Sequence, residues 1–434
     1  MERQYKDSGI PWMKQIPSDW DIIRGKNLLN LMNRPVREDD DVVTCFRDGE
    51  VILRSERRTE GFTMSDKEIG YQGINKGDIV IHGMDGFAGS MGISKSTGKG
   101  SPVLIVCNPK SDDDARYIIY YLRSLAMNNV FVALATGIRE RSCDLRWNKI
   151  SVLPFVRPSF GVQKKIADFI DMKSEEIDSL IGLQEQMIEK LKAYKQSVIT
   201  EAVTKGLNPS AKLVPSGVDW IDEIPEGWEV KPFKELFRTG KGLSFTKADL
   251  VKEGVPVISY GQVHSKQNTG TRIDDVLIRF VPDEIAKGGE SSKVRVGDFI
   301  FADTSEDLSG CGNCVYVDKE NGLYAGYHSV IAFSKRKDSN IYLAYLFLTD
   351  CWRSQIRCRV SGIKVFSISQ AIVKQTSIIL PPQEEQLSIA SYLDEKCADI
   401  DHLIDLKQQK IEKLKDYKKS VIYEAVTGKI NIES

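Results

Sequence analysis

Two short stretches contain residue types that bind phosphate or metal in other proteins. GISKSTGKG at 92–100 is rich in glycine and lysine, as a phosphate-binding loop is. However, five residues separate Gly92 from Gly98 where the motif needs four, and Gly100 replaces the required Ser or Thr. CGNC at 311–314 is a CxxC, but neither a second CxxC nor a histidine pair lies at zinc-site spacing. We therefore expect no nucleotide and no metal to bind this chain.

The four histidines offer no catalytic arrangement, because none follows or precedes an obvious nucleophile and acid. They are His82, His264, His328 and His402. The sequence also lacks the Asn/Asp-Pro-Pro-aromatic tetrapeptide of amino-methyltransferases and any helicase signature. These observations predict a chain that catalyses no reaction and carries no catalytic residue. An enzyme with an unrecognised active site is the alternative.

Composition favours a multidomain protein of the cytoplasm. The chain has 434 residues, more than one hydrophobic core usually serves. It contains 60 basic and 61 acidic residues, so net charge does not indicate a nucleic-acid partner. Its eight cysteines have no framework spacing, no apolar run approaches the ~18 residues of a membrane span, and the N-terminus lacks the apolar core of a signal peptide.

One segment occurs twice. IEKLKAYKQSVITEAVT at 188–204 returns as IEKLKDYKKSVIYEAVT at 411–427, with three differences and an offset of 223 residues. SGIPWMKQIPSDW at 8–20 similarly resembles SGVDWIDEIPEGW at 216–228. The chain ends soon after the second helical segment, and its N-terminus supplies the continuation that the first copy has. This circular pattern predicts two halves related by a pseudo-two-fold axis.

The duplicated segments lie in long apolar repeats. Spacings of three and four residues continue over about five heptads in each copy, which predicts two coiled-coil helices without internal proline. The predicted seam positions are Ile177, Leu180, Ile181, Met187, Ile188, Leu191, Tyr194, Val198 and Ala202, with matching residues in the second copy. Gln184 and Lys407 interrupt the stripe, either to fix the register or because the seam opens to water there. Antiparallel packing is expected, because it accounts for the circular pattern.

Each half also holds a variable block of the same order: a Gly-Asp turn, a short β-rich run, a glycine-rich loop, a strand, an amphipathic helix and a strand ending in proline. The fold class is therefore α/β (α+β), with two globular domains separated by two long antiparallel coiled-coil helices. The expected boundaries are 1–158 and 208–382 for the domains, and 159–207 and 383–434 for the helices.

A further segment, LPPQEEQLSIASYLD at 380–394, completes a recognisable pattern. Together with the two Trp-containing segments and the twin helices, it resembles the specificity (S) subunit of type I restriction–modification systems over nearly the whole chain. The first half departs from the pattern at PSFGVQKKIADFID, which lacks the Pro-Pro and the Glu before Gln163.

The resemblance implies that each variable block is a target recognition domain that reads one half of a bipartite double-stranded DNA sequence. The helices would set the spacing and dock two modification (methyltransferase) subunits. Those subunits, and restriction (translocase/nuclease) subunits when present, would hold the S-adenosylmethionine, ATP and Mg of the complex, so this chain is expected to have no cofactor. Without the resemblance, a scaffold or adaptor with paired heads on a coiled-coil stalk is the alternative.

Three basic segments are the predicted DNA contacts, because arginine and lysine bind phosphates and arginine also reads guanine. CWRSQIRCRVSGIK at 351–364 has no acidic residue, and TGIRERSCDLRWNK at 136–149 has a net charge of +2. RSERR at 54–58 is the third. The candidates are Arg54, Arg57, Arg58, Arg139, Arg141, Arg146, Arg353, Arg357, Arg359 and Lys364.

The repeated helix suggests a second set of contacts, because a partner that binds twice constrains the same residues twice. The predicted partner-binding residues are Glu189, Lys192, Tyr194 and Ser197, with Glu412, Lys415, Tyr417 and Ser420 at the second copy. The two tyrosines are the expected anchors, since buried aromatic residues often dominate interface energy. The alternative is that the match reflects only packing of the helices on each other.

Overall fold

The computed structural model describes residues 3–57, 69–134, 145–319, 322–336 and 339–432. The chain forms two compact units. Unit 1 consists of Met1–Glu185 with Lys407–Ser434, and unit 2 consists of Gln186–Leu406. Unit 1 thus joins the first part of the chain to its end. Among the described residues, none of the helices is both long and apolar enough to cross a membrane.

Unit 1 is built from short strands and helices around one four-stranded sheet. Its strands are β1 (Tyr5–Ile10), β2 (Met13–Pro17), β3 (Asp21–Arg24), β4 (Leu29–Leu31), β5 (Val43–Cys45), β6 (Val51–Leu53), β7 (Gln72–Ile74), β8 (Ile79–His82), β9 (Met91–Ile93), β10 (Gly98–Gly100), β11 (Leu104–Pro109) and β12 (Pro154–Arg157). Its helices are α1 (Gly25–Leu28), α2 (Ala115–Met127), α3 (Val130–Ala133), α4 (Trp147–Val152) and the first part of α5 (Phe160–Lys205). The antiparallel sheet has the order β4-β11-β8-β9, and α2 lies against β9.

Unit 2 repeats this plan. Its strands are β13 (Leu213–Val218), β14 (Ile221–Pro225), β15 (Glu229–Pro232), β16 (Phe237–Lys241), β17 (Val255–Ile258), β18 (Arg279–Val281), β19 (Phe299–Ala302), β20 (Thr304–Ser305), β21 (Cys314–Tyr316), β22 (Tyr324–Ala325), β23 (Ser329–Ser334), β24 (Phe366–Ser367) and β25 (Ser377–Leu380). Its helices are α6 (Phe233–Leu236), α7 (Tyr260–Val263), α8 (Asp283–Ala286), α9 (Ile341–Phe347), α10 (Asp350–Arg357), α11 (Gln370–Lys374) and the first part of α12 (Gln383–Val426). The matching sheet is β16-β23-β19-β21.

The Gly-Asp turn sets the start of the central strand in both units. Gly77 and Gly297 have φ values of 94° and 95°, a left-handed conformation that glycine adopts without a steric penalty. The carboxylates that follow are buried and accept backbone N–H groups: Asp78 accepts from Asn75 (2.8 Å) and Asp298 from Arg295 (3.0 Å). The turn is therefore closed by its own side chain, and an apolar strand can begin immediately.

Two tyrosines three residues apart join each domain helix to the long helices. In unit 1, the Tyr117 hydroxyl donates to the carbonyls of Val156 (2.8 Å) and Val426 (3.3 Å). In unit 2, the Tyr342 hydroxyl lies 2.8 Å from the carbonyl oxygen of Val203 and 3.3 Å from that of Ile379. The helix carbonyls of Val203 and Val426 are 223 positions apart, so the same contact occurs at both copies of the repeat.

The second tyrosine of each pair binds an aspartate of a long helix. Tyr120 donates to Asp171, and Tyr345 donates to Asp394 at 2.7 Å. Asp171 and Asp394 are again 223 residues apart. Burial, together with the hydrogen bond to Asp394, raises the pKa of Tyr345. The Tyr-x-x-Tyr pattern at 117–120 and 342–345 was visible in the sequence, but sequence analysis did not use it.

The two long helices, α5 and α12, pack antiparallel, as predicted. In unit 1, Lys418 binds Asp178 (2.7 Å), and in unit 2, Lys195 binds Asp401 (2.7 Å). Both the lysines and the aspartates are related by the 223-residue offset. Only a narrow stripe of each helix is buried, including Ile177 and Ile188 in α5 and Ile400 and Ile411 in α12.

The predicted seam is wrong at three positions of α5. Leu180, Met187 and Tyr194 are 43%, 46% and 58% exposed. They recur every seven residues, so they share one face of the helix beside the buried stripe. Their apolar character favours a face that contacts something other than the second helix. Gln184 is buried on the seam, and its side-chain oxygen has no hydrogen-bond partner within the described residues.

Candidate functional site

The basic segment at 351–364 follows the buried end of α9 in unit 2. The ring of Trp352 is fully buried against Phe347, with ring centroids 4.1 Å apart, and so fixes α10 on the core. Arg353 and Arg357 follow on α10 and line one cleft. Arg359 and Lys364 lie beyond the helix and are exposed.

The two arginines of α10 are engaged by the protein itself. The Nε atom of Arg353 donates to the carbonyl of Phe347 (2.8 Å), and burial lowers the pKa of this guanidinium. Arg357 forms an ion pair with Asp350 (2.8 Å) and donates to the carbonyl of Ser309 (2.7 Å). These contacts shape the wall of the cleft and leave its positive charge partly compensated.

The basic candidates of unit 1 are distributed differently. Arg54 donates from Nε to the Thr44 hydroxyl (3.2 Å) and is half-buried. Arg57 is exposed, with ion pairs to Asp48 (2.6 Å) and Glu50 (3.2 Å). Its guanidinium also lies 4.3 Å from the centroid of the Phe46 ring. The remaining described candidate, Arg146, is exposed immediately before α4, whereas Arg58, Arg139 and Arg141 fall outside the described residues.

The cleft in unit 2 has a volume of about 940 Å³. Besides the two arginines it is lined by Tyr260 of α7 and His264 just after it, and by Glu306 and Asp307 of the loop after β20. His264 is fixed in the wall, with Nε2 2.8 Å from the Thr304 carbonyl oxygen. Asp307 accepts hydrogen bonds from the Ser309 hydroxyl and the Gly310 N–H, both at 2.6 Å. Sequence analysis missed this cleft, because its lining comes from five separate segments.

His328 separates this cleft from a second depression of about 670 Å³. Its φ of 54° is left-handed, which costs a non-glycine residue about 1–3 kcal/mol. The ring is held by Asp303, 3.2 Å from Nδ1, and by edge contacts with Tyr260 and Tyr327 at 5.4 and 5.8 Å between centroids. A residue that has a strained backbone and an exposed side chain held in place by its neighbours is a candidate for contact with a ligand.

The loop after β8 is the counterpart of this region in unit 1. His82 accepts the backbone N–H of Asp85 at Nδ1 (3.0 Å), and burial lowers the pKa of His82. Arg47 forms an ion pair with Asp85 (3.0 Å). The loop therefore also combines a histidine, a carboxylate and an arginine, with different partners from those in unit 2.

The repeated helix segment presents its predicted partner-binding residues to solvent. Lys192 pairs with Glu189 (2.8 Å), and Lys415 pairs with Glu412 (2.9 Å). Tyr194 and Tyr417 are 58% and 56% exposed. Ser197 and Ser420 are also exposed, and Ser420 donates to Glu424 (2.9 Å). None of these eight residues belongs to the buried stripe between the helices.

The two stretches that could have bound phosphate or metal have structural roles. Gly98–Gly100 of the lysine-rich stretch is strand β10, which pairs with β7, whereas a phosphate loop would lead into a helix. Cys311 and Cys314 are buried, and burial raises the pKa of Cys314 to about 12. Within the described part of the chain, no group of three or more His, Cys, Asp or Glu side chains could hold a metal ion.

Comparison with known proteins gives consistent relatives. A family model described as the type I restriction modification DNA specificity domain matches residues 225–416. The type I restriction enzyme MjaVIII specificity subunit of Methanocaldococcus jannaschii is 24% identical over 99% of this chain and 98% of its own length. The EcoKI specificity subunit of Escherichia coli is 23% identical over 48% of this chain and 44% of its own.

Two solved structures share the fold. One, described as the structural basis underlying complex assembly and conformational transition of the type I R-M system, superposes with a TM-score of 0.70 at 14% identity and covers 96% of this chain and 99% of its own. The other is the HsdS subunit from Thermoanaerobacter tengcongensis, with a TM-score of 0.52 at 14% identity over 96% of this chain and 98% of its own.

Proposed function

This chain belongs to the specificity subunits of type I restriction–modification systems, and from that premise we propose that each unit reads one half of a bipartite double-stranded DNA target. It is the non-catalytic subunit that determines DNA target specificity. The helices would set the spacing between half-sites and dock two modification subunits. We place S-adenosylmethionine, ATP and Mg in those subunits and in restriction subunits when present, and the assembly in the cytoplasm.

The observation that carries this proposal is that the same contacts to the long helices recur in both units, whereas the loops and clefts between them differ. The contacts made by Tyr117, Tyr120 and Lys418 in unit 1 recur at Tyr342, Tyr345 and Lys195 in unit 2. Between these fixed points, the loops and clefts of the two units differ. Repeated contacts are expected where the same partner binds twice, and different loops are expected where two different half-sites are read.

Within unit 2, we assign phosphate contacts to the exposed Arg359 and Lys364. Arg353 and Arg357 line the cleft and remain proposed DNA contacts at its edge, although Arg357 is already paired with Asp350. In unit 1, Arg146 and Arg57 are exposed, and Arg54, three residues before Arg57, is half-buried. We retain Arg58, Arg139 and Arg141 as proposed contacts on sequence grounds alone.

The phosphate assignment is tested by salt-dependent DNA binding of the assembled complex. Each phosphate contact removed should reduce the slope of log K against log salt by about 0.9. We expect this for Arg359→Ala and Lys364→Ala, and about twice as much for the double variant. Lys252→Ala is the control, because this lysine is exposed in the same unit and does not line the cleft. Unchanged affinity and slope in the double variant, and in Arg357→Ala with Arg359→Ala, would refute the assignment.

Docking of two modification subunits is supported by the exposed helix face. In unit 1, Leu180, Leu183 and Tyr417 are at least 43% exposed, and in unit 2 so are the residues related to them by 223 positions, Leu403, Leu406 and Tyr194. Solvent-exposed apolar residues at matching positions suggest two equivalent docking surfaces. Because the seam does not use these side chains, packing between the helices alone does not explain their repetition.

Native mass measurement of the complex tests this reading. Tyr194→Ala or Lys192→Glu should cost one modification subunit, and the paired changes with Tyr417→Ala or Lys415→Glu should cost both. Lys190→Glu is the control, because Lys190 is exposed in the same helix without belonging to the predicted set. Circular dichroism would establish that the variants stay folded. If the double variants still bind two modification subunits, the repeat serves the packing of the helices on each other, and the docking proposal is wrong.

A further inference from the structure

The cleft of unit 2 has the wrong charge for a phosphate. Three carboxylates line it, those of Glu306, Asp307 and Asp350, against the two guanidinium groups of Arg353 and Arg357. Both guanidinium groups donate to the protein, as described above, and Asp350 and Asp307 accept hydrogen bonds from it. A phosphate entering the cleft would meet three carboxylates and two guanidinium groups, of which that of Arg357 is already paired with Asp350.

Glu306 differs from the other two acids. It is exposed on the loop after β20, and within the described residues no hydrogen bond or ion pair engages its carboxylate. A carboxylate is only an acceptor, so a complementary ligand must present an N–H or O–H donor. In the major groove of DNA, the exocyclic amino groups of cytosine (N4) and adenine (N6) are such donors.

The aromatic part of the cleft lining is suited to a flat group. Tyr260 and His328 meet edge to face, and Tyr327 packs against both at 5.6 and 5.8 Å between ring centroids. His328 is held in its left-handed conformation at the border between the two depressions. Gly261 lies on the same wall, and a Cβ atom added there would contact no atom within 4 Å. The space beside Gly261 is therefore open.

We propose that this cleft reads a base edge in the half-site of unit 2, and that Glu306 accepts a hydrogen bond from the amino group of a cytosine or an adenine. The inference rests on the proposed function. It assigns sequence discrimination to Glu306 and the aromatic wall, and affinity to the exposed arginine and lysine of the neighbouring segment. A carboxylate beside phosphate-binding residues also disfavours bases that present only acceptors there, because two acceptors repel.

The first experiment uses the full chain assembled with its modification subunits. The bound sequence is selected from random duplexes for the wild type, Glu306→Ala and Gly261→Leu. We expect Glu306→Ala to lose preference at one base pair by about 5- to 100-fold, with the other positions unchanged. Gly261→Leu places a side chain in the cleft from an unobstructed position and should weaken binding of the same half-site. Glu253→Gln, an exposed carboxylate of unit 2 outside the cleft, is the control.

The second experiment identifies the donor. Once the affected base pair is known, its cytosine is replaced by 2-pyrimidinone or its adenine by purine, which removes only the amino group. The wild type should lose affinity by the same factor as Glu306→Ala does, whereas Glu306→Ala should lose nothing further. If the 2-pyrimidinone replacement gives this result, the donor is cytosine; if the purine replacement gives it, the donor is adenine.

The outcomes separate the inference from the function on which it rests. An unchanged selected sequence in both Glu306→Ala and Gly261→Leu overturns the inference while the wild-type complex still selects a split target. A uniform affinity change with an altered salt slope means that the loop meets phosphates, which also overturns it. If the wild-type complex selects no sequence, the proposed function itself fails.

Discussion

Trp20 in unit 1 and Trp228 in unit 2 occupy the same place in the repeated Ile-Pro-x-x-Trp segment. Within the described residues, of these two indole N–H groups only that of Trp228 donates a hydrogen bond. The Trp228 Nε1–H donates to Glu385 (3.1 Å) at the start of α12. Trp20 is also buried, and its Nε1 atom has no hydrogen-bond partner in the described structure. The residue 223 positions before Glu385 is Val162, which offers no acceptor.

The first tryptophan of each segment repeats the difference. Trp220 donates to the Ser377 hydroxyl at 2.7 Å, whereas the position that matches Ser377 offers Trp12 no hydroxyl. Pro154 stands 223 positions before Ser377 and lacks the hydroxyl. An apolar replacement thus leaves the aromatic anchor in position and removes its polar partner. A repeated frame can be conserved in shape while its hydrogen bonds are lost in one copy.

The interiors of the two units differ further. Around Phe347, unit 2 has an aromatic cluster in which the rings of Phe299, Phe301 and Trp352 lie 4.1–5.7 Å away between centroids. At the same position after the Tyr-x-x-Tyr pattern, unit 1 has Leu122, also fully buried. Unit 2 should therefore depend more strongly on a single side chain.

The largest expected loss of stability comes from truncating Phe347. Phe347→Ala should cost unit 2 about 3–5 kcal/mol, because the cavity removes aromatic contacts in addition to buried area. Leu122→Ala is the matched change in unit 1, at about 2–5 kcal/mol. Hydrogen exchange of α9 and α2 peptides measures each unit separately. Equal losses at both positions would show that the aromatic cluster adds nothing beyond its volume.

The tryptophan comparison predicts an intermediate effect. Glu385→Val reproduces the Val162 environment in unit 2 and leaves a buried indole N–H unpaired, which should cost about 1–3 kcal/mol. Val162→Glu should stabilise unit 1 by up to the same amount if the new carboxylate reaches Trp20. Hydrogen exchange of the peptides around each tryptophan provides the measurement.

Glu384→Val is the control for Glu385→Val, since it removes a neighbouring acid from the same helix turn without touching the indole. It should cost only the interaction with the helix dipole, about 0.3–1 kcal/mol. If Glu385→Val costs no more than this control, the hydrogen bond to Trp228 contributes no stability, and the difference between the units has no energetic consequence.

The architecture could be predicted from the sequence because a near-identical 17-residue repeat and its 223-residue offset are visible without coordinates. The antiparallel helices followed from that pattern, but the seam did not, because heptad spacing does not say which of two adjacent apolar stripes is buried. Leu180, Met187 and Tyr194 were therefore assigned to the wrong stripe. The cleft in unit 2 could not be foreseen, because Tyr260, Glu306 and His328 come together only through strand pairing.

The smallest expected effect is a pH dependence of stability that arises from the aspartate of the Gly-Asp turn. Asp78 in unit 1 forms an ion pair with Arg34, whereas the donors to Asp298 among the described residues of unit 2 are backbone N–H groups, those of Arg295 (3.0 Å) and Ser334 (2.7 Å). Burial raises the pKa of Asp298 above its ordinary value of 3.8, and those two hydrogen bonds offset part of the increase. The folded state therefore holds this proton more tightly than the unfolded state does.

Because the folded pKa is raised, stability from this group is fully present below pH 3.8 and is lost as pH rises through the folded pKa. We expect the exchange-derived stability of β19 in unit 2 to decline with rising pH over this window relative to Asp298→Asn, which cannot titrate there. The comparison uses only the pH slope, so any constant cost of the amide cancels. A slope that is the same in both proteins would mean that backbone donors satisfy Asp298 as completely in the fold as water does in the unfolded chain.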